Sequence, residues 1–221
     1  MGKQGDASNV RERPSWQRRS VERVGEGALE RSKTFVRAAR DLAAEGGLEA
    51  VTLRPLLERS GLSRRAFYDR FESIDDELVA LYEETVARGA RIVARRVDAM
   101  TGPVAKLETL VRSMAAIARN PGNRTFIVAI SSERSRLSER RPEELEEASA
   151  PMIEVIERVL AEGVESGAFR DTELRGLAST LHAVISSEIH RNMSLHGRSG
   201  EWVDQLCEFC VASVRSGSLR E

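Results

Sequence analysis

Residues 52–78, TLRPLLERSGLSRRAFYDRFESIDDEL, hold two short helical patterns split by a single glycine, and this spacing constrains the fold more than any other feature of the chain. Thr52 suits an N-cap, and Pro55 falls in a first turn, where its missing N–H costs little. Leu53, Leu56 and Leu57 give that helix an apolar face. Ser60-Gly61 predicts a stop, because glycine readily takes the left-handed conformation of a helix C-terminus. Ser63 suits a second cap, opening a helix over Arg64–Phe71. Phe67 and Phe71 share its inward face at i,i+4, and Arg64, Arg65 and Tyr68 share the opposite one. Two helices joined by so short a turn make a helix-turn-helix, whose second helix can lie in a DNA major groove.

The flanking sequence is helical throughout. From Glu26 to Glu45, residues Leu29, Phe35, Ala39, Leu42 and Ala43 line one side before Gly46-Gly47 ends the pattern. Ser73 caps a long helix reaching about Met100, with Asp75, Asp76 and Glu77 in a first turn where acids complement the helix dipole. Further helices are predicted over 104–119, 123–137, 142–166, 172–196 and 200–214, divided by Thr101-Gly102-Pro103, Asn120-Pro121-Gly122, Pro142, Gly167 and His196-Gly197. No alternating strand pattern interrupts them, so the fold class is all-α with about nine helices.

Charge is divided unevenly along the chain. Residues 1–72 hold 15 Lys/Arg against 11 Asp/Glu, and the remainder holds 19 against 24. A basic head on an acidic body fits DNA binding by the head. The expected organisation is a basic, mostly disordered arm over 1–24, a helix-turn-helix domain over 25–72 and a helical ligand-binding and dimerisation domain over 73–221. Arg11, Arg13, Arg18, Arg19 and Trp16 make the arm either a phosphate-tracking element or an ordinary solvated tail. There is no run of about 18 apolar residues and no signal segment, which implies a cytoplasmic protein without a membrane partner. Cys207 and Cys210 have C-x-x-C spacing inside an apolar helical stripe, which favours buried small side chains over redox or metal chemistry. His182, His190 and His196 lack i,i+4 spacing, so no metal site is expected. No nucleophile elbow, phosphate loop or dinucleotide fingerprint is present, and the chain is read as a non-enzyme without a cofactor.

The series Thr52, Arg54, Leu56, Gly61, Ser63, Phe67, Tyr68 and Phe71, in the pattern T-x-R-x-L-x-x-x-x-G-x-S-x-x-x-F-Y-x-x-F, resembles the tetracycline-repressor (TetR) family of transcriptional regulators. The specific likeness spans residues 25–80, and AEGVESGAFRDTEL (161–174) resembles the loop before the family's eighth helix. Ile74 stands where the family often has a lysine. The resemblance implies a regulator that binds a pseudo-palindromic operator as a homodimer and is released by a small-molecule effector. The alternative is a ligand-independent DNA-binding regulator whose body only dimerises.

Bidentate arginine to guanine is the commonest specific base contact, so Arg64 and Arg65 are the candidates for base readout, with phosphate neutralisation the alternative for Arg65. Tyr68 matches the family's tyrosine and is expected to donate to a phosphate. Ser63 and Thr52 suit the same task, although Thr52 also suits a cap. Arg54 is placed for a groove edge or the backbone, and Arg70 for phosphate. In the body, Leu177, Leu181 and Val184 on one stripe and Trp202, Leu206 and Cys210 on another imply a four-helix dimer interface by resemblance. Met114, Phe126, Ile130, Met152 and His182 are pocket candidates by position alone.

Overall fold

The computed structural model describes residues 26–120, 126–129, 137, 139–194 and 200–216. The amino-terminal arm, Ile130, His196 and most of the expected 123–137 helix lie outside these residues, although 126–129 are helical. The elements with complete bounds are α1 (Glu26–Gly46), a 3-10 turn (Leu48–Ala50), α2 (Leu53–Ser60), α3 (Arg64–Tyr68), α4 (Ile74–Asp98), α5 (Pro103–Arg119), α6 (Pro142–Glu165), α7 (Leu174–Ser194) and α8 (Glu201–Val214). Among the described residues the only β-type pairing is an isolated bridge between Phe169 and Arg215. No helix there is long and apolar enough to cross a membrane.

The chain divides into two compact units, Met1–Thr85 with Ala129–Ser149, and Val86–Val128 with Ala150–Glu221. The division falls inside α4 and α6. Ion pairs join the first turn of α4 to Arg140 and Arg141 within the first unit. Arg140 reaches Asp75 and Arg141 reaches Asp76, each at 3.2 Å. Within the same unit the Tyr82 hydroxyl lies 3.2 Å from that of Ser149.

In the first unit α1 packs against α2 and touches α3. Leu29, Phe35, Ala39, Leu42 and Ala43 are all buried, as their spacing predicts. Gly61 takes φ 67° and ψ 15°, and its N–H bonds to the Leu57 carbonyl at 3.0 Å, so the glycine between the two short helices is a left-handed cap. Arg59 grips Glu45 through two bonds of 2.8 and 2.7 Å, tying the end of α2 to the end of α1.

The second unit closes on one apolar cluster that includes Val93, Leu107, Leu110, Ile156, Leu160, Ile185 and Cys210. α8 lies against α5, and Arg112 pairs with Asp204 at 2.5 Å. The GAF turn after α6 is fastened to the end of α8. The Arg170 N–H donates to Val214, and the Ser216 N–H donates to Ala168. Gly163 is needed because a Cβ there would fall 1.8 Å from the Phe169 ring.

Candidate nucleic-acid interface

The second short helix is held from behind by aromatic rings. Phe67 is fully buried, and Phe35 meets it edge-on at 5.5 Å between centroids. Phe71 lies 5.4 Å from Phe67 and 6.1 Å from Phe35. Burying a phenylalanine contributes about 1.5–3 kcal/mol and each favourable ring pair adds about 0.5–1.5. Such a cluster is strong enough to fix a helix of five residues that could not persist alone.

The opposite face carries the polar groups. Arg64 and Arg65 are exposed, and Tyr68 keeps 48% of its surface. The Arg64 guanidinium sits 5.8 Å from the Tyr68 ring centroid, a cation–π contact that restrains a long side chain without consuming its donors. Ser63 occupies the N-cap, its hydroxyl oxygen accepting from the Ala66 N–H at 3.1 Å. That bond leaves the Ser63 hydroxyl proton available to an outside acceptor. Thr52 also sits at an N-cap, and its backbone carbonyl accepts from Leu56 at 3.0 Å, but its hydroxyl makes no capping bond. Arg54 is exposed and pairs with Glu58 at 2.9 Å, an i,i+4 contact that water weakens and a phosphate can replace. Ser63, Arg64, Arg65 and Tyr68 are thus brought together, with Thr52 and Arg54 opening α2.

Arg70 departs from this group. It is 6% exposed and directs its guanidinium to the Ala66 carbonyl. Burial and the nearby Arg31 charge lower its pKa from the ordinary arginine value. The cause is local: α3 ends at Tyr68 rather than running to Phe71, and its last carbonyls need donors. The Phe67 carbonyl takes the N–H groups of both Arg70 and Phe71, each at 2.9 Å.

In the second unit Met114 and Met152 join the apolar cluster, and His182 is buried with Nε2 3.4 Å from the Ser186 hydroxyl. Phe126 is buried as well. Leu181, Leu206 and Cys210 are buried in this chain's own core, α7 and α8 both lying against α5. Leu177, Val184 and Trp202 are half-buried. The aromatic that sequence reasoning passed over is Phe209, 55% exposed on α8, and its position off the Val203–Leu206–Cys210 stripe was the available signal. Burial raises the Cys207 thiol pKa and pushes that of Cys210 up to about 12, so both remain protonated. Among the described residues no group of His, Cys, Asp and Glu could hold a metal ion.

Residues 35–81, which enclose this site, match the family described as bacterial regulatory proteins, tetR family. No curated protein matches in sequence. Among solved structures, FadR from Bacillus subtilis in complex with stearoyl-CoA superposes with a TM-score of 0.67 at 14% identity, covering 83% of this chain and 99% of that one. RolR in complex with resorcinol gives 0.67 at 15% identity over 85% and 89% of the two chains. NemR from E. coli in its reduced form gives 0.64 at 17% identity over 86% and 100%. At these identities the likeness shows the fold alone, and the family match is confined to residues 35–81. The chain thus carries a tetR-family head at residues 35–81 and shares the fold of these solved structures.

Proposed function

We propose that the protein is a repressor that binds a pseudo-palindromic operator as a homodimer and releases it when a small molecule enters its helical body. The observation that carries the DNA half is the exposed face of α3, where Ser63, Arg64, Arg65 and Tyr68 stand on a buried Phe67–Phe71 base. Arg64 takes a bidentate hold on guanine in the major groove, Arg65 a second base or a phosphate, and Tyr68, Ser63 and Thr52 donate to phosphate oxygens. Arg54 exchanges Glu58 for the backbone or a groove edge. Two-fold pairing through the outward surface of α7 and α8, with Leu177, Val184, Trp202 and Phe209 at the contact, sets the two reading helices one DNA turn or slightly more apart. The effector half is supported by analogy, since two similarly folded proteins were solved with stearoyl-CoA and with resorcinol.

Selection of duplexes from a random pool, followed by anisotropy titration, tests the reading. A recovered two-fold symmetric site bound by a dimer supports it, and recovery of no preferred sequence refutes it. Thermal shift against a metabolite panel tests release, because a ligand of the folded state raises the melting temperature.

A further inference from the structure

Glu77 sits in the first turn of α4, where an acid ordinarily complements the helix dipole. It does not do so here. Ser73 takes the Asp76 N–H at 3.2 Å, and Asp76 in turn takes the Glu72 N–H at 3.1 Å, so the helix start is already served. Glu77 instead is wholly buried, and neither of its carboxyl oxygens has a hydrogen-bond partner. The arginines that reach the start of α4 are paired with other acids. From the 137–149 segment, Arg140 holds Asp75 and Arg141 holds Asp76 and Glu144. From the head, Arg70 lies beside Arg31 and Asp69. The charge that acts on Glu77 is that of Asp76, on its own helix and of the same sign.

A carboxylate so placed is shut off from bulk solvent and bonded to no cation, and both facts favour the neutral acid. Burial first, and Asp76 second, raise the Glu77 pKa well above the ordinary carboxyl value. The residue lies one position from Asp76, the point at which Arg141, Glu72 and Ser73 converge. Through that point the exit from the helix-turn-helix is fastened to α4 and to the 137–149 segment. A charge at position 77 would repel the like charge of Asp76, to which Arg141 and the Glu72 N–H are bonded.

We propose that Glu77 is a proton-linked latch on the DNA-binding head: neutral, it lets residues 72–76 and 137–149 stay clamped, and ionised, it loosens the clamp and weakens operator binding. The operator part rests on the function proposed above. Because the folded chain holds this proton more tightly than the unfolded one, the stabilisation is complete below the unfolded carboxyl pKa of about 4.3 and is lost as pH rises through the folded value.

The test compares wild type, Glu77→Gln and Glu77→Leu in thermal unfolding and in binding to a duplex selected from a random pool. Each is followed from about pH 5 to about pH 9, where one linked proton limits any change to about tenfold per pH unit. Both variants should gain melting temperature over wild type progressively as pH rises. Wild type alone should lose operator affinity over the same range, and the infrared carbonyl stretch of a buried protonated carboxyl should be absent from both variants. Parallel pH profiles for all three proteins would overturn the proposal. So would failure of both neutral variants to fold, since the site would then need the charge. A pH-dependent stability difference with no effect on DNA affinity would overturn the regulatory claim. A wild type that bound no duplex at any pH would sink the operator reading, while the melting curves would still judge Glu77.

Discussion

Replacing Phe67 by alanine should disable the head while leaving its DNA-facing side chains in place in the sequence. Phe67 is 1% exposed and touches three rings, Phe35 at 5.5 Å, Phe71 at 5.4 Å and Tyr68 at 5.3 Å. Truncating a buried phenylalanine to alanine costs about 3–5 kcal/mol, covering the lost transfer and the cavity left behind. Domain stabilities are only about 5–15 kcal/mol, so roughly a fifth or more of the head's stability is at stake. At roughly 2–4 °C per kcal/mol for a chain of this size, the melting transition should fall by roughly 10 °C. Circular dichroism melts paired with anisotropy would follow both stability and DNA affinity. Phe67→Leu, which keeps most of the volume, should lose less than half as much. If Phe67→Ala melted within about 2 °C of wild type and held its affinity, the ring cluster would not be what seats α3.

Three other outcomes follow from the same structure. Gly163→Ala places a methyl 1.8 Å from the buried Phe169 ring and should destabilise by about 1–3 kcal/mol, read as a lowered melting temperature without a change in DNA contacts. Gly61→Ala meets no atom within 4 Å but forces φ 67° on an L-residue, so its cost of about 1–2 kcal/mol is backbone strain alone, and Gly61→Asn should recover part of it. Cys207 and Cys210 should resist a thiol reagent at pH 8 until the chain is unfolded, because burial raises both pKa values and takes Cys210 to about 12. Rapid labelling of the native protein would contradict that placement.

The legible parts of this fold are those set by local rules. Helix bounds followed from caps and periodicity: α1 was expected over Glu26–Glu45 and spans Glu26–Gly46, and the Gly61 stop adopts the left-handed conformation its position demands. Ser63 and Ser73 cap as read. What sequence could not supply was decided by packing. Asp75, Asp76 and Glu77 look alike as first-turn acids, yet Asp75 and Asp76 find arginines more than sixty positions away and Glu77 finds none. Charge alone places Arg70 among the phosphate candidates, and packing buries it beyond the end of α3. A helix stripe likewise does not name its partner: Leu206 and Cys210 are buried in this chain's own core, where α8 lies against α5.

We propose that α3 reads DNA through Arg64 while Tyr68 holds the backbone. Anisotropy titrations of wild type, Arg64→Ala and Tyr68→Phe on a selected duplex and on its scrambled counterpart address it directly. Arg64→Ala should lose about 1–3 kcal/mol on the selected duplex and little on the scrambled one, whereas Tyr68→Phe should weaken both alike. Equal losses for Arg64→Ala on the two duplexes would contradict base readout by α3.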